Sequence, residues 1–114
     1  MLSISNNSGN FHLSYKLCND IIHFRAKEIA SILGYSNTGK AILVHVDDEY
    51  KRKLKDITPT PEMGMLDGSD YNNVYITEPG LYQLIFKSHL PIAKDFTKWV
   101  FEEVLPSILS LIHM

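Results

Sequence analysis

The period of the apolar residues changes at Arg25, and this one change restricts the chain to a mixed α+β fold. Before it, Phe11, Leu13, Tyr15 and Leu17 alternate with His12, Ser14 and Lys16, as in a strand with one buried face. Asn19-Asp20 supplies turn residues and Ile21-Ile22-His23-Phe24 the return strand, which predicts a β-hairpin. After it, Ala26, Ile29, Ala30 and Leu33 fall at i, i+3, i+4 and i+7, one face of a helix. Gly34 is placed to end that helix in a left-handed conformation. Asn37 or Thr38 can then cap a second helix carrying Ala41, Ile42, His45 and Val46 on one side. Two short helices across a glycine-containing turn make a helix-turn-helix candidate.

Further along, Asp47-Asp48-Glu49 precedes Tyr50-Lys51-Arg52-Lys53-Leu54-Lys55, an acid-first, base-last order that suits the dipole of a third short helix. Residues 58–70, with Pro59, Pro61, Gly64 and Gly68, read as an acidic loop or flap. Asn73-Val74-Tyr75-Ile76 reads as a short strand. Thr77 is expected to cap the next helix, which opens Glu78-Pro79-Gly80 and buries Leu81, Leu84 and Ile85. Ile92, Phe96, Trp99, Val100, Val104, Ile108 and Leu111 keep helical spacing from Pro91 to Ile112, with Pro106 expected to kink or split the helix. Leu105 to Ile112 is apolar on nearly every side, so it needs either the domain's own core or another subunit against it.

At 114 residues, 45% of them hydrophobic and 21% charged, the chain forms a single domain, expected over residues 11–112 with a flexible polar end at 1–10. The single cysteine, Cys18, excludes an intramolecular disulfide framework and a Cys-pair zinc site. The start lacks the basic and apolar regions of a signal peptide, and no apolar run approaches a membrane span. An intracellular, reduced, soluble protein without membrane contact is the expectation.

The net charge of −2 argues against a polyanion partner only if the charges are evenly spread. They are not. Residues 1–55 carry eight Lys/Arg against five Asp/Glu, whereas Asp56, Glu62, Asp67, Asp70 and Glu78 have no basic residue among them. Gly34-Tyr35-Ser36-Asn37-Thr38-Gly39-Lys40 satisfies the G-x-x-x-x-G-K part of a phosphate loop. Ala41 stands where a magnesium-holding Ser or Thr belongs, however, and a helix rather than a strand is expected before it, so a nucleotide hydrolase is the weakest reading. A helix stop followed by a helix start explains the same glycines. Ser36, Asn37, Thr38 and Lys40 would still offer a helix N-terminus, hydroxyls and an ammonium to a nucleic-acid phosphate. Arg25, Lys27 and the run Lys51, Arg52, Lys53 and Lys55 are further phosphate-contact candidates. No two of His12, His23, His45, His89 and His113 have helical spacing, and Glu102-Glu103 and Asp47-Asp48 are adjacent pairs whose side chains diverge. No metal site, cofactor or catalytic residue is therefore expected.

Two segments together resemble a known family. Phe24-Arg25-Ala26-Lys27-Glu28-Ile29-Ala30-Ser31-Ile32-Leu33-Gly34-Tyr35-Ser36-Asn37, followed by Lys40-Ala41-Ile42 and His45-Val46-Asp47, is similar to the first half of the BRO N-terminal (Bro-N) domain. Tyr75-Ile76-Thr77-Glu78-Pro79-Gly80-Leu81-Tyr82-Gln83-Leu84-Ile85, then Lys87-Ser88, Leu90-Pro91, Trp99-Val100 and Glu103-Val104-Leu105-Pro106-Ser107-Ile108, resembles its second half. The resemblance covers about residues 11–108. It implies a viral or phage DNA-binding module, without catalytic residues, that modulates transcription or replication. Its partners would be double-stranded DNA or chromatin, and its site the helix-turn-helix from Ala26 to Val46. The phage antirepressors of the family imply an alternative: a module that binds a repressor or other regulatory protein, or pairs with itself through the C-terminal helix, without touching DNA. The host nucleus or cytoplasm, or the bacterial cytoplasm, would be its compartment. Family members usually continue into a second domain, so one recognition module is what these residues are expected to form.

Overall fold

A computed structural model describes residues 2–6, 9, 11–58 and 73–112, with the side chains of 111 and 112 excepted. The alternating segment and its return form β2 (His12–Cys18) and β3 (Ile21–Arg25), paired antiparallel with Tyr15 opposite Phe24. Asn19 and Asp20 both take positive φ, 53° and 63°, as a two-residue hairpin turn of matching twist requires. Leu2–Ser5, expected to be a loose end, forms β1 on the free edge of β2. Its Ile4 packs against the core, and that anchor outweighs the polar composition around it.

The two predicted helices are α1 (Ala26–Ile32) and α2 (Thr38–His45). Gly34, at φ +84°, sits just beyond the Leu33 cap, and the N–H groups of Gly34 and Tyr35 return to the carbonyls of Ser31 and Ala30. These paired bonds absorb two carbonyls that α1 would otherwise leave open. Asn37 is the cap of α2, its Oδ1 accepting the Lys40 N–H at 3.0 Å.

The third helix expected from Asp47 onward does not form. Asp48–Tyr50 makes one 3₁₀ turn, Lys51–Lys53 is strand β4, and only Leu54–Ile57 is helical (α3). Pairing with β5 (Val74–Ile76) overrides the local charge order, and it gives a five-stranded antiparallel sheet in the order β1-β2-β3-β5-β4. The loop expected at 58–70 lies outside the described residues, Thr58 excepted. Helix α4 (Glu78–Lys87) buries Leu81, Leu84 and Ile85 as expected. Thr77 holds the N-cap position as expected, its carbonyl accepting the Leu81 N–H, but its buried hydroxyl makes no capping bond and has no partner among the described residues; its N–H donates to the Tyr50 carbonyl.

The C-terminal helix runs as α5 (Ile92–Trp99), a π-helical segment (Val100–Val104) and α6 (Leu105–Ile112). Pro106 neither splits nor ends it. The Leu105 N–H instead bonds five residues back to Val100, a wide turn placed just ahead of the proline ring. Phe96, Val100, Val104, Leu105 and Ile108 all reach the core, so the apolar surface of α6 is used in part within the domain itself.

The main core lies between the helices and one face of the sheet, where Phe11 meets Phe96 and Trp99 at ring-centroid distances of 5.5 Å. A smaller cluster of Leu54, Ile57 and Tyr75, with Cys18 beside it, forms apart from it.

Candidate nucleic-acid interface

The site residues named from the sequence occupy three separate surface depressions. Ser36, Asn37 and Lys40 line the first, about 320 Å³ in volume, with Tyr35, Ala41 and Val44. All three are exposed at the start of α2, and Thr38 beside them is half-buried. Tyr35 braces α2: its hydroxyl donates to the Leu84 carbonyl at 2.7 Å and its ring lies 5.6 Å from that of His45 in the last turn of the helix. Burial raises the Tyr35 pKa, so the hydroxyl keeps the proton it donates. Leu43 and Val44, 73% and 62% exposed, lie on the outer side of α2; helical spacing alone did not single them out.

Arg25 and Lys27 share the second depression with His12, Glu28 and Ser31. Glu28 is engaged with β2, accepting the Ser14 N–H at 2.8 Å and the Ser14 hydroxyl at 3.1 Å, which leaves Lys27 as the exposed cation there. The Arg25 Nε is buried without a partner among the described residues.

Lys51, Arg52, Lys53 and Lys55 line the third, together with Asp48 and Asp56. Their exposure differs. Lys51 is paired with Asp48 at 3.0 Å and only 16% exposed, whereas Lys53 and Lys55 are exposed. The Arg52 guanidinium donates to the carbonyls of Glu49 and Lys51 at 2.9 and 2.7 Å, so the 3₁₀ turn and the strand start hold its orientation.

One grouping escaped the sequence reading. Arg25 and Arg52 both stand in register with Tyr75, so the two guanidinium-bearing residues share a sheet face, two strands apart. His23, on the same face by alternation along β3, is 4% exposed, and its Nδ1 lies 3.0 Å from the Ile21 carbonyl. Burial lowers its pKa and nearby Arg52 adds to the effect, against the hydrogen bond to Ile21, so the ring is neutral at pH 7. The signal was the strand register, which depends on a pairing far along the chain.

Among the described residues there is no group of three or more His, Cys, Asp or Glu that could hold a metal ion, and no helix is long and apolar enough to cross a membrane. The phosphate-loop fragment leaves α1 rather than a strand.

Residues 13–106 match the profile of the BRO family, N-terminal domain. An uncharacterized Bro-N domain-containing protein, ORF2, of Autographa californica nuclear polyhedrosis virus is 38% identical over 108 residues, 87% of this chain and 33% of the viral protein. Protein 289L of Invertebrate iridescent virus 6, named a putative Bro-N domain-containing protein, is 38% identical over 99 residues, 78% of this chain and 24% of its own length. An uncharacterized protein of Haemophilus influenzae is 41% identical over 85 residues, 75% of this chain and 38% of its own. The chain thus spans between a quarter and two-fifths of these relatives. No solved structure matches it. With the helix pair and the C-terminal helices matched in one continuous stretch, the chain belongs to the BRO family as a Bro-N domain.

Proposed function

We propose that this Bro-N domain is a non-enzymatic DNA-binding module of a viral or phage regulator, contacting duplex phosphates largely without regard to sequence and so modulating transcription or replication. The observation that carries the reading is the outward-facing α2. Its capped N-terminus presents Ser36, Asn37 and Lys40 to solvent, a polar, positively polarised end suited to a backbone phosphate. Lys27 on α1 and Lys53 and Lys55 near the sheet edge add cations that a duplex or chromatin surface could reach.

Titration of a duplex at two salt concentrations tests this. Lys27→Ala with Lys40→Ala should weaken binding to all sequences alike and lower the salt slope by about 2. Lys51→Ala, whose ammonium Asp48 already holds, should change little. No measurable affinity at low salt would overturn the reading, and magnesium-dependent ATP or GTP turnover that vanishes in Lys40→Ala would replace it with an enzyme.

The second reading is an antirepressor-type module that binds another regulatory protein, or a second copy through the C-terminal helix, and need not touch DNA. The exposed Phe86 and Phe101 favour it over a module with a wholly polar surface.

A further inference from the structure

Outside the basic groups, the helical side carries an apolar strip. Phe86 near the end of α4 is 76% exposed, and Phe101, carried outward on the wide turn before α6, is 49% exposed. Tyr82 joins them, its ring 6.4 Å from that of Phe86 and 5.5 Å from that of Phe101. Beyond Phe86 the strip continues into a depression lined by Lys94, Asp95 and Lys98, a net positive end. In the other direction the Tyr82 hydroxyl donates to Glu78, which borders a second depression with Asp20, Ile21, Pro79 and Leu109. Ile21 and Leu109 are both exposed. The strip therefore has a lysine end, a centre of three rings and a carboxylate end.

We infer that this strip is a self-association surface that takes a second copy of the chain in an antiparallel, two-fold arrangement. A two-fold interface sets the same patch of each copy against the other, so the patch must complement itself. Opposite charges at its two ends meet that condition: turning one copy about the ring centre lays Lys94 and Lys98 over Asp20 and Glu78 of the other, twice per dimer. Aromatic rings in the middle with charge at the rim is also how energetically important interface residues are arranged. A nucleic acid does not fit, since the carboxylate end repels phosphate. The surface is distinct from the residues assigned to DNA contact and does not depend on that reading; it rests on the second one, to which it adds the surface and its arrangement.

Sedimentation equilibrium across a wide concentration range tests it on the chain as it is. A reversible dimer is expected, weakened at least about tenfold by Phe86→Ser with Phe101→Ser, whose exposed positions leave folding intact by circular dichroism. Lys94→Glu with Lys98→Glu should also weaken it, and adding Asp20→Asn and Glu78→Lys to that pair should restore it by reversing the sign at both ends. A chain that stays monomeric throughout overturns the inference and leaves the strip to a partner of another sequence. A dimer that survives the serine pair places the contact elsewhere. Failure of Asp20→Asn with Glu78→Lys to rescue overturns the antiparallel arrangement.

Discussion

Gly34 shows how much one residue decides. A Cβ there would lie 2.1 Å from Leu90 Cδ1, and its φ of +84° is one that L side chains rarely adopt. The half-exposed tip of Leu90 can swing aside, so backbone strain sets the cost, and Gly34→Ala should lose about 1–2 kcal/mol in denaturant unfolding. His23 contributes a pH dependence. Burial holds its folded-state pKa below 6.5, while in the unfolded chain the ring titrates normally. The unfolded state therefore binds more protons between the two values, so stability is complete above about pH 6.5 and falls as the pH drops toward the folded value. The thermal midpoint should decline over that range, and His23→Gln should lack that part of the decline. Gly34, Asn37 and the Asn19-Asp20 turn were legible in the sequence because each answers a need of the backbone within a few residues of itself. Thr77 was legible as a cap position for the same reason, but not its bond to Tyr50, since the N–H donates to a carbonyl far along the chain.

At the scale of elements, the C-terminal helix combines a regular apolar stripe with an irregular backbone. Phe96, Val100, Val104 and Ile108 are spaced by four, and on an ideal α-helix such a stripe drifts roughly 40° per step. The wide turn over Val100–Val104 winds less per residue and keeps these side chains facing the core. It also relieves the crowding that Pro106 would impose on the preceding turn. Pro106→Ala should therefore stabilise the protein by well under the roughly 3 kcal/mol that a mid-helix proline ordinarily costs; a gain of that full size in urea unfolding would contradict the account. The stripe and the proline were both visible in the sequence, but a proline announces only that something must give. Lys51–Lys53 was harder still: three cations in a row show no alternation, and only the later Val74–Ile76 makes them a strand.

Across the whole molecule, candidate DNA contacts fall in three depressions rather than one continuous groove, so any affinity they generate is modest and sensitive to salt. Charge partition along the sequence separated a basic half from an acidic segment, yet could not say that Lys51 would be spent on Asp48 or that Arg25 and Arg52 would flank one tyrosine. The aromatic strip went unread because its members lie on two helices brought together only by packing. The place of β4 as an outer strand of the sheet has one more consequence. A neighbouring chain seeking to extend the sheet there would have to dock its backbone along Lys-Arg-Lys, and lysine on an outer strand is a recognised deterrent to such growth. The cations that suggest a ligand from their sequence thus also act as gatekeepers, turning copies away from open-ended stacking.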